Sequence, residues 1–188
     1  QLPQAVGCAM LAQLASLCLF IAILSTTSIT LMISMVFPLL AAAFFLALTA
    51  GIALLNRKEI ASHTELKTDR VFKLSSALLI AAIIAIMLIL SAWLQHVFGN
   101  AGVLVAAALA ALAELHAAVA SLGQLFASGN LPLTTAQLGV VVILAASATA
   151  KSVLAFVIGG VNYGIQISLG LAAMVAGAAL PLLWFVGK

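Results

Sequence analysis

The chain has 188 residues, of which 66% are hydrophobic and 6% charged, with a formal net charge of +3 and a mean hydropathy of +1.36. Ordinary soluble domains are roughly half apolar and about a quarter charged, so this chain lacks the polar groups to cover a surface in water. Those figures exclude a soluble enzyme, a nucleic-acid-binding module and a disordered tail, and they define an integral membrane protein.

The chain opens with Gln1 rather than Met, and its first apolar run has no basic n-region and no cleavage site. That run is therefore not a signal peptide, and a domain upstream of Gln1 is expected. A helix crossing about 30 Å of hydrocarbon needs about 20 residues. Six runs qualify, about 4–25, 29–55, 73–97, 101–127, 132–159 and 164–186. They lack the strict alternation of a barrel strand, so the expected fold is all-α, a polytopic bundle of about six spans.

The first run holds Cys8 and Cys18, with neither Cys-x-x-Cys spacing nor a nearby His, which reads as two buried free thiols. Ser25-Thr26-Thr27-Ser28 is a turn into the second run, where Pro38 should kink the helix. Residues 56–72 form the one long connection. Arg57, Lys58, Lys67, Arg70 and Lys73 lie in or beside it, which by the positive-inside rule makes it cytoplasmic. Strict alternation of six spans then places both termini in the cytoplasm and the turns at Ser25, Phe98 and Tyr163 outside. Trp93, His96, Tyr163 and Trp184 fall where amphipathic rings prefer the headgroup level. Pro132 suits the first turn of the fifth helix, Pro181 should kink the sixth, and Gly170, Ala173 and Gly177 form a small-residue stripe suited to internal packing.

Two ionisable residues with acid or basic side chains remain inside the apolar runs, Glu114 in the fourth and Lys151 in the fifth, joined by His116. A charge at mid-bilayer costs about 2.5–3.5 kcal/mol on insertion scales, so each should face protein or water. Antiparallel spans would set the two about 8 Å apart along the membrane normal at 1.5 Å per residue, a gap a Lys side chain can largely close. One reading is a buried Glu–Lys bridge that fixes helix register. The other is a polar cavity for a cation, a proton or a small polar solute, with His116, Ser121 and Ser147 in support. On a continuous helix Glu114 and His116 point about 200° apart, so both can face one cavity only if the helix unwinds locally. Zinc or a transition metal would need three or four ligands, and His63, His96 and the cysteines lie too far along the chain, so no metal or other cofactor is expected. Neither a phosphate-binding loop nor a nucleophile elbow is present, which argues against an enzyme.

Glu114-Leu115-His116-Ala117, read with Ser147 to Lys151 and Gly159-Gly160, resembles a C-terminal membrane domain of unknown function found behind MgtC/SapB-type domains in bacterial proteins. That family carries Asp-x-Asp-Ala followed by a Ser in its fourth span, and Asn-Thr-x-x-Lys followed by Gly-Gly in its fifth. In this chain Glu114 stands for the first acid and His116 for the second, with Ser121 near the Ser. Ser147 replaces the Asn, while Lys151 and Gly159-Gly160 match directly. The resemblance implies a multi-pass protein of the bacterial inner membrane, linked to magnesium or envelope homeostasis and partnered by an MgtC-like membrane domain. The expected function is transport or permeation. The alternative is a regulatory or assembly subunit that binds a membrane protein, or a second copy of itself, through small-residue faces. The lipid bilayer is a partner in either case, and nucleic acid is not.

Overall fold

A computed structural model of the chain describes residues 2–55, 89, 104, 105, 107–112 and 114–186. Among these residues six helices are defined: α1 (Leu2–Thr27), α2 (Ile29–Ser34), α3 (Val36–Leu55), α4 (Leu115–Ala127), α5 (Leu133–Gly159) and α6 (Val161–Val186). Residues 107–112 are also helical, and no strand occurs among the described residues. Among the described residues four helices are long and apolar enough to cross a membrane, and α4 is a shorter apolar helix. The expected span 73–97 apart from residue 89, the loop 56–72, Trp93, His96 and the Trp184 side chain lie outside the described residues.

The second predicted span is two helices. Pro38 has no N–H to offer the carbonyl of Ser34, and the chain breaks just upstream, at Met35 (φ −103°, ψ 5°). Ser28 caps α2, its side chain accepting from the N–H of Leu31 at 3.4 Å. Pro132 stands at the N-cap of α5, where a missing N–H costs nothing. Pro181 lies inside α6. Gly160 joins α5 directly to α6 with φ 78° and ψ 175°, a conformation essentially restricted to glycine. Around it the hairpin is tight, since a β-carbon on Gly159 would strike the Tyr163 ring and one on Gly164 the Phe156 ring.

The interior is a single apolar cluster in which Phe20, Leu24, Leu31, Leu46, Ile143 and Met174 are fully buried. Phe37, Leu40, Phe44, Val157 and Ile158 are instead exposed, the pattern of a surface meant for lipid rather than water. Cys8 and Cys18 belong to that outer surface and are free thiols, so their expected burial is corrected. In lipid an outward-facing apolar side chain carries no hydrophobic penalty, so the burial habit of soluble cysteines does not transfer.

Contacts at the glycines fix the helix directions. Gly7 meets Leu54, Gly170 meets Met10 and Thr49, and Gly177 meets Phe45 and the backbone of Ala41. Hence α1 and α6 run parallel, and α3 runs against both. The Gly170–Gly177 stripe is used for this internal packing. Gly123 meets Thr27 and Leu24 while His116 lies beside Ser16, so α4 runs parallel to α1; Gly139 meets Leu122 and Lys151 meets Gln13, so α5 runs against both. One end of the bundle therefore holds the starts of α1 and α6, the end of α3 and the Gly160 turn. The other holds the Ser28 turn, the Ser128 turn and the end of α6. This corrects the strict alternation read from the sequence. The turns at Ser25–Ser28 and Ser128–Asn130 share an end, and Leu2 and Val186 lie at opposite ends, not on one side.

Candidate functional site

The fourth predicted span is interrupted at Glu114. Its N–H still donates to the carbonyl of Ala110 at 2.7 Å, closing the turn before it, but its backbone is extended (φ −152°, ψ 112°). A helix that starts inside a bilayer exposes N–H groups that no water can satisfy. Glu114 answers this as the N-cap of α4, its carboxylate accepting from the N–H of Ala117. The same carboxylate meets Nδ1 of His116 at 2.8 Å. The local unwinding that the 200° separation demanded is thus present, and it brings the two side chains together.

Helix α1 supplies the partners the sequence reading missed. Nε2 of His116 lies 3.4 Å from the Ser16 hydroxyl and 3.4 Å from the Ser16 carbonyl. One turn earlier on the same helix, the Gln13 carbonyl oxygen accepts from the Lys151 ammonium at 2.6 Å. Gln13 is buried, and its amide nitrogen has the sulfur of Met174 on α6 at 3.9 Å. At 1.5 Å per residue Gln13 lies about 17 Å from the start of α1 and about 21 Å from its end, the middle of the span. Two polar clusters, Glu114–His116–Ser16 and Lys151–Gln13, therefore sit side by side at mid-depth, carried by residues three apart on α1.

The expected Glu114–Lys151 ion pair is corrected by this geometry. Each charge has found a different partner, because the break at Glu114 turns its carboxylate back onto its own helix. Ser147 is buried one turn before Lys151 on α5. Ser121 is exposed and takes no part in the cluster. Its assignment to the Glu114 face assumed an unbroken helix, and the break at Glu114 resets the phase of everything after it. Among the described residues no group of three or more His, Cys, Asp or Glu side chains is placed to hold a metal ion. One sign in the sequence pointed to α1: Gln13 and Ser16, polar and one turn apart, interrupt its central apolar stretch.

A cavity of about 630 Å³ opens between α1, α5 and α6. Lys151 and Gln13 supply its polar side, with Tyr163 near the Gly160 end. Ala9, Met10, Leu154, Ala155, Ile158 and Ile167 are among its apolar walls. Tyr163 is part-buried there against Gly159, so its ring serves the hairpin and the cavity.

A bundle of long apolar helices, with a shorter one that starts at mid-depth beside part-buried polar side chains, defines a multi-pass membrane protein. The profile of a domain of unknown function (DUF4010) matches residues 1–159, and the chain belongs to that family. The match takes in Gln13, Ser16, Glu114, His116 and Lys151, and ends at Gly159, before α6. Neither a curated protein nor a solved structure matches the chain.

Proposed function

We propose that this protein is a transport or permeation domain for a proton, another cation or a small polar solute. The observation that carries the reading is the helix break at Glu114. Non-helical backbone at membrane depth is tolerated where it is buried in protein or lines a water-filled path, and half-helix termini beside ionisable groups are how transporters build central sites. Glu114 and His116 form the first part of the site, with Ser16 bridging to α1. Lys151 and Gln13 form the second part, and Ser147 supports Lys151 from within α5. No chemistry of bond cleavage is assigned to these groups.

Leu55, which leads directly into the basic stretch 56–73, stands at the Gly160 end of the bundle. The positive-inside rule therefore supports a cytoplasmic Gly160 end, with the Ser28 and Ser128 turns on the opposite face. The membrane is the bacterial inner membrane on this reading, and an MgtC/SapB-type domain is the proposed neighbour. A regulatory role through small-residue faces gains no support from the packing, since Gly170 and Gly177 are occupied by α1 and α3.

The test is flux in proteoliposomes. An internal pH dye and a panel of monovalent and divalent cations are followed for the native chain, Glu114→Gln and Lys151→Met. A flux present in the native protein and reduced at least tenfold in Glu114→Gln supports the reading. A native flux that neither substitution alters counts against it.

A further inference from the structure

We propose that the cavity between α1, α5 and α6 binds a carboxylate bearing an apolar chain, a fatty-acid-class amphiphile drawn from the bilayer, with Lys151 and Gln13 holding its head. The donors and acceptors at the polar side of the cavity do not balance. A Lys ammonium has three N–H donors and a Gln amide two, with one carbonyl acceptor. That acceptor is engaged by Lys151 at 2.6 Å, while among the described residues the Gln13 amide nitrogen has only a thioether sulfur at 3.9 Å, a weak partner. Among the described residues no carboxylate contacts Lys151, because Glu114 is committed to His116 and to the cap of α4. The site thus presents a positive charge and spare N–H donors, and its complement is an anion with two acceptor oxygens. A single ammonium matches a monoanion, and charge-assisted hydrogen bonds from N–H groups are the strong way to hold a carboxylate.

The rest of the cavity selects what the anion is attached to. Its walls are apolar, and its volume of about 630 Å³ is in the range of sites for small organic ligands, roughly 300–1,000 Å³. Along α5 the apolar wall continues from Lys151 to Gly159, about 12 Å at 1.5 Å per residue. Leu154 and Ile158 both line the cavity and are exposed on the outer surface, so the groove opens sideways toward lipid. An apolar chain can lie along that wall with its end among the acyl chains, while the carboxylate reaches inward to Lys151. Binding of this kind requires no transport, so a negative flux experiment leaves it standing.

The test uses the full chain in nanodiscs of phosphatidylcholine, which supplies no net anionic headgroup, with radiolabelled decanoate as probe and empty nanodiscs as baseline. The expected result is saturable binding of one decanoate per chain. Unlabelled decanoate should compete at least tenfold better than decanol, decyltrimethylammonium or inorganic phosphate. Lys151→Met should weaken binding at least tenfold and Gln13→Leu about threefold. Lys151→Arg should retain it, and Ala155→Phe, which fills the cavity and leaves the charge in place, should abolish it. Absence of saturable binding to the native chain overturns the proposal. So does equal competition by decanol, which removes the role of the charge, or by inorganic phosphate, which removes the role of the chain. The competition series needs no variant, so it decides the matter even where Lys151→Met fails to fold.

Discussion

The contact between Glu114 and His116 is open to a double-mutant cycle, with Glu114→Gln and His116→Phe as the single changes. Glu114 has two jobs, one toward the Ala117 N–H and one toward His116 Nδ1 at 2.8 Å. Gln keeps a carbonyl oxygen for the cap and loses the charge, so it isolates the second job. Hydrogen bonds to charged groups contribute about 1.5–3 kcal/mol. The side chains of His116 and Glu114 are 24% and 41% exposed, which places the pair at the weak end, and the coupling energy should be about 1–1.5 kcal/mol. Glu114→Ala removes the cap as well and should cost about 0.5–2 kcal/mol beyond Glu114→Gln. The assay is reversible unfolding in mixed micelles, followed by far-ultraviolet circular dichroism. Additivity of the two single changes within about 0.5 kcal/mol would refute the contact. Equal stability of the Ala and Gln variants would refute the cap, since it would mean that residues on either side of 114 join into one helix at no cost.

Two further outcomes test the packing and the helix directions. A β-carbon on Gly177 would come within 3.0 Å of the Ala41 carbonyl oxygen, which is backbone and cannot rotate away, so Gly177→Leu must separate α3 from α6. It should lower stability in the same assay by about 1–3 kcal/mol, whereas Gly51→Ala, with nothing within 4 Å among the described residues, should be neutral or stabilising by up to about 1 kcal/mol. For the directions, Cys8 and Cys18 are replaced by Ser and single cysteines are placed at Thr26, Ser128 and Val161. An impermeant thiol reagent should label the first two from one face of the membrane and the third from the other, and labelling of positions Thr26 and Ser128 from opposite faces would restore the alternating order.

The four long helices were legible because each is a run of about 20 or more apolar residues, and the break at Met35 was legible because Pro38 has a fixed chemical consequence. The unwinding at Glu114 was legible as a condition: two polar side chains 200° apart share a site only if the helix yields. What remained hidden was partnership. Gln13 and Ser16 occur in an apolar run with nothing to say which helix they face, and the arithmetic of depth that joined Glu114 to Lys151 took the helices as unbroken and alternating. Both assumptions failed at once. The break consumed the Glu114 carboxylate locally and moved Ser121 off the expected face, while the parallel run of α4 and α1 set His116 against Ser16.

The parallel run also determines how the two polar clusters are arranged. If α4 ran against α1, Glu114 would occupy another depth, and the two polar clusters would be separate features of the bundle. With α4 alongside α1, both clusters hang on residues three apart on one helix, about 4.5 Å along its axis. The His116–Ser16 contacts, at 3.4 Å, are the looser pair, and the 2.6 Å bond between Lys151 and Gln13 is the tighter. A ligand held at Lys151 would meet the same face of α1 that carries Ser16. Gln13 thus holds Lys151 one turn from Ser16, although it makes no contact with the Glu114–His116 pair itself.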